Sequence, residues 1–258
     1  MHYIDVGNGP VILLGHSFLW DSKMWAPQVN VLKENYRCIV PDLWSHGASA
    51  PLDKDTYSIE EMAEDHKRLL DYLKIEKCSV IGLSVGGMWG AVLAIKYPEL
   101  VQRLVIMDTY VGPEPAATQA RYNALLDTVA KAGYFSKELI DVVAPMFFSP
   151  STVQNNAEIF KAFKKHLVEI TPENVPGIVA LGYGIFNRTS FLEELTKLKM
   201  PTAVFVGEND MPRPPSESKE MAELIPNSTL QIIEAAGHIS NLEQPDKVTD
   251  YLHRFISK

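Results

Sequence analysis

Cysteine is nearly missing from this chain: Cys38 and Cys78 are the two among 258 residues, and neither has a second Cys or a His at metal-ligand spacing. That rules against a disulfide-stapled scaffold and a zinc site, and both thiols, set in apolar runs, read as buried and reduced. Positive charge is also short, with 24 Lys and Arg against 32 Asp and Glu and a net charge of −8. No basic cluster stands out, so a nucleic-acid partner is not expected. No window reaches the roughly 18 apolar residues of a membrane span, and the opening MHYIDVGNGP lacks the basic and apolar regions of a signal peptide. The expectation is a cytoplasmic protein with no membrane partner. Internal repeats, low-complexity tracts and the spaced glycines of a dinucleotide site are missing as well, so no cofactor and no metal are implied. Nothing in the sequence fixes the oligomeric state.

What is present suits an α/β domain. Hydrophobic residues make up 46% and charged residues 22% of the chain, enough apolar material for a large core. Short apolar runs, the candidate strands, fall at His2–Val6, Val11–Gly15, Arg37–Pro41, Cys78–Gly82, Arg103–Asp108, Thr202–Gly207 and Thr229–Glu234. Between them, residues 24–35, 59–74, 86–97, 215–225 and 245–256 carry apolar side chains at helical spacing, with Pro98 and Pro226 just past two of the ends. The alternation predicts a doubly wound, mainly parallel sheet of about seven strands. From Val111 to Lys199 the strand pattern stops and helical pattern takes over. A structureless loop of that length is improbable, so 111–199 is expected to be a helical cap on a core built from 1–110 and 200–258.

The chemistry is concentrated in three loops. Gly82-Leu83-Ser84-Val85-Gly86 is a G-x-S-x-G that follows a strand pattern and precedes a helix pattern. Small residues two before and two after the serine allow a sharp turn that exposes its hydroxyl, and the following helix turns its amide-rich end toward the site. A serine nucleophile needs a base, and the base needs a carboxylate to orient it. The run TAVFVGENDMP ends a strand in a loop carrying Asp210, and LQIIEAAGHISN ends the next in a loop carrying His238. Ser84, Asp210 and His238 would thus stand at one edge of a parallel sheet. Glu208 and Asp108 are rival acids. Asp210 is preferred because its loop directly precedes the strand leading to His238, with Asp108 kept as a displaced acid. His2, His66, His166 and His253 lie at the terminus or on helical segments with charged neighbours and read as solvated.

In chain order, DLWSHGAS, GLSVGG, GEND and AAGHISNLEQP resemble the landmarks of the α/β-hydrolase superfamily, and the resemblance covers essentially the whole chain. It implies Ser84 as nucleophile, His238 as general base and then acid, and Asp210 as the carboxylate behind it. It also implies an oxyanion hole of two backbone amides, Val85 and Phe18, the latter following His16-Ser17 where the family has His-Gly. Ser17 and Ser45 both stand at family glycine positions. A positive φ at either would cost roughly 1–2 kcal/mol. His16 and His46 are implied to be structural loop residues.

Leu19, Trp20 and Ile239 flank these loops and are expected to line an apolar pocket for a small, uncharged ester or lactone. The primary reading is a carboxylic ester hydrolase that works through an acyl-enzyme, with a lactonase as the alternative. A C–C bond hydrolase ranks lower for want of polar and basic cap residues, and a non-catalytic ligand-binding relative ranks lower because no triad member is missing.

Overall fold

The computed structural model describes residues 1–257. In chain order its core elements are β1 (Tyr3–Val6), β2 (Val11–Gly15), α1 (Ala26–Leu32), β3 (Arg37–Pro41), α2 (Ile59–Tyr72), β4 (Cys78–Leu83), α3 (Val85–Lys96) and β5 (Val101–Met107). The helices α4 (Ala116–Ala132), α5 (Lys137–Val143), α6 (Pro150–Gln154), α7 (Glu158–Val168) and α8 (Val175–Phe186) then fill the interval before β6 (Thr202–Gly207). The chain closes with α9 (Pro215–Leu224), β7 (Ser228–Ile233), α10 (Ser240–Glu243) and α11 (Pro245–Ile256).

The strands form one seven-stranded sheet in the order β1-β3-β2-β4-β5-β6-β7. β1 runs antiparallel to β3, and every other pairing is parallel. From β2 the chain steps outward to β3 and then returns to place β4 on the other side. The sheet's switch in winding direction therefore lies between the ends of β2 and β4, where α/β sheets open a crevice. The central strands are mostly apolar because helices cover both faces: every residue of β6 is buried. β7, at the edge, alternates and leaves Leu230 and Ile232 exposed.

Two helices set the frame. In α3 the residues from Val85 to Ala94 are all buried, and its glycines and alanines let it lie close against the sheet. α2 begins at a reciprocal cap in which Ser58 Oγ accepts from Glu61 N and Glu61 Oε2 accepts from Ser58 N. One helical pattern divides. Residues 24–35 become a 3₁₀ turn over Ser22–Trp25 followed by α1. Asp21 caps the turn through Lys23 N, and Pro27 sits in the first turn of α1, where its missing N–H costs nothing. Among the described residues no helix is long and apolar enough to cross a membrane.

His66 is not solvated. It is fully buried, its ring stacked on Trp89 at 3.6 Å, with Nδ1 2.6 Å from Met62 O. The charged neighbours in its sequence lie on the opposite face of α2. His2 and His253 are exposed and His166 is half-buried.

Candidate active site

Ser84 sits between β4 and α3 at φ 57° and ψ −121°, a conformation L-residues avoid. Glycines make room for it: a Cβ on Gly82 would strike the Gly86 carbonyl, and one on Gly86 would strike the backbone of Gly15 in β2. The turn is tied from behind. Ser84 N donates to Met107 O at 2.8 Å, and Thr109 Oγ1 donates to Ser84 O at 2.7 Å. Ser84 Oγ lies 2.9 Å from His238 Nε2. His238 Nδ1 in turn faces both oxygens of Asp210, at 2.9 and 3.1 Å. An ionised carboxylate only accepts, so the imidazole carries its proton on Nδ1 and Nε2 is free to accept from the serine hydroxyl. Asp210 Oδ1 also accepts from Arg213 N at 2.9 Å, which fixes the carboxylate in its loop.

The rival acids have other work. Asp108, fully buried at the end of β5, accepts from Gly207 N at 2.7 Å and from Ser240 Oγ at 2.5 Å, joining the loops of β5, β6 and His238. Burial, and then the charge of Asp210, push its carboxyl well above the usual carboxylate range. It makes no hydrogen bond to His238, so the structure gives it no part as a displaced acid. Glu208 accepts from Ala235 N at 3.1 Å, tying the loop after β6 to the loop after β7.

The loop after β2 brings Phe18 to this point. Among the described residues neither the Phe18 amide nor the Val85 amide donates to a protein acceptor. Val85 N opens α3, where the first amides have no partner within the helix. Two buried histidines hold the Phe18 loop. His16 Nε2 accepts from Leu43 N at 2.8 Å, and His46 Nε2 accepts from Leu19 N at 3.2 Å. Burial pulls these imidazoles down to about 4 and about 3, so both stay neutral and can accept.

The two family-glycine positions resolve differently. Ser17 is not among the residues with positive φ, so its side chain costs no strain and leaves the Phe18 amide in place; the left-handed residue of this loop is Leu19, at φ 65°. Ser45 does take φ 61°. Its hydroxyl is used, accepting from Leu52 N at 2.9 Å.

Ser84 and His238 open into a cleft of about 830 Å³, its mouth included, roofed by the helices between β5 and β6. Leu126 and Val129 of α4, Leu139 and Val143 of α5 and Ile185 of α8 line it, with Phe18, Leu19 and Phe147 below. Of the expected pocket residues Leu19 is there. Trp20 and Ile239 are not. Trp20 turns away and stacks on Phe163 at 4.3 Å with the planes 3° apart, and Ile239 is fully buried with its amide bonded to Phe147 O at 3.1 Å. Both were singled out by nearness in sequence to the site loops. The helices supply most of the lining instead, and helical pattern in sequence does not say which face looks inward.

Sequence reasoning also passed over a buried ion cluster at the same cleft. Arg188 and Arg213 both line it. Arg213 Nη2 donates to both oxygens of Glu114, at 2.6 and 2.5 Å, and Arg188 Nη1 donates to Glu114 Oε2 at 3.1 Å and to Ile185 O at 2.8 Å. Arg213 comes from the segment MPRPPSES, which reads as a plain surface turn. Its closeness to Asp210 was the available signal.

A family model described as alpha/beta hydrolase fold matches residues 10–245. A malate-bound thermophilic esterase from Thermogutta terrifontis superposes with a TM-score of 0.89 at 30% identity, covering 99% of this chain and 92% of that one. 3-Oxoadipate enol-lactonase 2 of Acinetobacter baylyi is 27% identical over 95% of this chain and 88% of its own. A candidate carbamate hydrolase, RutD, of Caulobacter sp. (strain K31) is 26% identical over 99% of this chain and 95% of its own.

Proposed function

The chain belongs to the alpha/beta hydrolase family, and from that membership and the geometry of its site we propose that it cleaves carboxylic esters through an acyl-enzyme on Ser84. The observation that carries this reading is the continuous line from Ser84 Oγ through the His238 imidazole to Asp210, beside two unbonded backbone amides. His238 Nε2 takes the hydroxyl proton as Ser84 Oγ attacks the carbonyl carbon. The carbonyl oxygen becomes an oxyanion between the Phe18 and Val85 amides, and donors of this kind are worth about 3–4 kcal/mol each when removed. Collapse expels the alcohol, which leaves with the proton from His238. Water then attacks the acyl carbon with His238 again as base, and collapse releases the acid and restores Ser84.

A lactone is the second reading, supported by the relative named enol-lactonase. The steps are the same, except that the leaving oxygen stays tethered to the acyl group and one ring-opened acid is released. A carbamate is a third acyl–oxygen substrate, supported by RutD. Turnover of p-nitrophenyl esters, lactones and carbamates by the protein and by Ser84→Ala tests the set. Ester turnover should fall at least about 10³-fold in the variant. Ester turnover indifferent to the substitution, or a strong preference for lactones or carbamates, overturns the primary reading.

A further inference from the structure

The cleft contains a cation with a hydrogen-bonding edge to spare. Arg188 is 7% exposed, and its Nη1 is used by Glu114 and Ile185, but Nε and Nη2 are buried and have no partner among the described residues. Those two nitrogens form the parallel edge of a guanidinium, the one that takes a carboxylate two-pronged. The protein itself shows the mode on its surface, where Arg37 Nε and Nη2 grip the two oxygens of Asp5 at 2.9 and 2.7 Å. Leaving two such donors buried and unmade costs the desolvation of both, so the arrangement is stable only against a compensating return.

Charge in the cluster points the same way. Two guanidinium groups share one fully engaged carboxylate, Glu114. The second acid, Glu217, lies 3.4 Å from Arg213, and burial lifts it to about 7, so it supplies only part of a negative charge at neutral pH. Arg188 is pulled down to about 10, by burial and then by the Arg213 cation beside it. The group facing Arg188 that would relieve this is an anion, and apart from Arg213, Ser84 and His238 the cleft presents aliphatic and aromatic side chains.

The geometry points to a substrate with two ends: an acyl–oxygen bond at Ser84 and a separate ionised carboxylate held by the Nε/Nη2 edge of Arg188. This rests on the proposed hydrolysis at Ser84 and replaces the expectation of an uncharged substrate with a half-ester or lactone of a dicarboxylic acid, or an ester of a hydroxy acid. Arg213 keeps Glu114 in place and so keeps Arg188 turned to the cleft.

The test compares matched pairs. Mono-p-nitrophenyl succinate, glutarate and adipate are set against uncharged p-nitrophenyl esters of the same acyl length, and 4-acetyloxybutanoate against butyl acetate. In at least one pair the carboxylate-bearing ester should have the higher kcat/KM, and Arg188→Met should lower the charged-to-neutral ratio by about tenfold or more. Arg188→Lys, which keeps the charge without the parallel edge, should give an intermediate ratio, and it decides the matter if the Met variant fails to fold. Independently of any chemistry, glutarate should bind calorimetrically to Ser84→Ala and lose most of that affinity in Ser84→Ala/Arg188→Met. Ratios the same in the parent and Arg188 variants, together with no glutarate binding, overturn the proposal. If neutral and charged esters are turned over alike, the reading of Ser84 survives. If no ester is turned over while glutarate binds through Arg188, the anion site survives and the ester reading does not.

Discussion

The amide of Leu19 donates to Nε2 of His46 across 3.2 Å, linking the loop after β2 to the loop after β3 one residue beyond Phe18. Leu19 holds φ 65° there, a conformation that costs about 1 kcal/mol or more for a residue with a side chain and that this hydrogen bond helps to fix. The Phe18 loop is thus held by a histidine whose own hydrogen bonds run to Leu19 N and Trp44 O and not to Ser84, His238 or Asp210.

His46→Ala should therefore act on kcat more than on KM. We expect kcat to fall about tenfold or more with KM within about threefold, because the displaced donor serves the transition state. His46→Gln, whose Oε1 can accept from Leu19 N, should recover part of the loss. Steady-state kinetics on a single ester decides this, and a loss in KM alone would count against it.

The two buried aspartates should separate under the same substitution. Asp210→Asn leaves Nδ1 of His238 facing an amide and should lower kcat by about 10³- to 10⁴-fold, as in other Ser-His-Asp sites. Asp108 is raised by burial and by Asp210, and the Ser240 hydroxyl can reverse its hydrogen bond to meet an amide. Asp108→Asn should keep kcat within about tenfold of the parent. Equal losses in the two variants would contradict the assignment of Asp210 as the orienting acid.

Acid sensitivity of the fold should include a measurable share from His66. Burial pulls its imidazole down to about 4, so as pH falls the unfolded chain takes up the proton first. Its contribution is intact above about pH 6.5 and is lost as pH falls toward 4, on the order of 2–3 kcal/mol. His66→Phe keeps the stack on Trp89 and removes the titration. Denaturant melts of parent and variant between pH 8 and 4.5 should show the variant gaining relative to the parent on acidification. Asp108 and Glu217, both raised, oppose the parent's overall trend, and the paired comparison cancels them.

Ser45 and Gly177 fit together too closely for another methyl group. A Cβ on Gly177 would strike Ser45 Oγ and come within 2.9 Å of Leu52 Cβ. Gly177→Ala should destabilise by about 1–3 kcal/mol despite alanine's better helix propensity. In a Ser45→Gly background the cost should shrink by about 1 kcal/mol or more. Additive effects in thermal or chemical melts would show that the hydroxyl is not what fills the space.

How much of this was legible in the sequence depends on where each residue acts. Ser84, Asp210 and His238 each lie one to five residues beyond a strand, and a parallel sheet brings such positions to one edge whatever the rest of the chain does. Strand identities were readable because strands such as TAVFVG, buried on both faces, are short and almost wholly apolar. The cleft was not readable. Its walls come from α4, α5 and α8, whose inward faces are set by how the helices lie across the sheet. Trp20 shows the difficulty: it is large, apolar and two residues from the Phe18 amide, yet it packs on Phe163. Arg188 and Arg213 escaped because a charged residue in a loop reads as solvated until its partner, here Glu114 some 99 residues before Arg213, is brought against it.

Arg213 has one end in each half of the molecule. Its backbone amide holds Asp210, while its guanidinium holds Glu114, two residues before α4. The helical insertion is for that reason not an interchangeable part. Exchanging residues 111–199 for another cap carries off Glu114 and Arg188 together and leaves the buried Arg213 without its closest counter-charge, with Glu217 at 3.4 Å as its remaining acid partner. Cap and acid loop form a single unit of inheritance and of engineering: a new roof for this core must bring its own counter-charge, or the turn that carries Asp210 has to be rewritten with it.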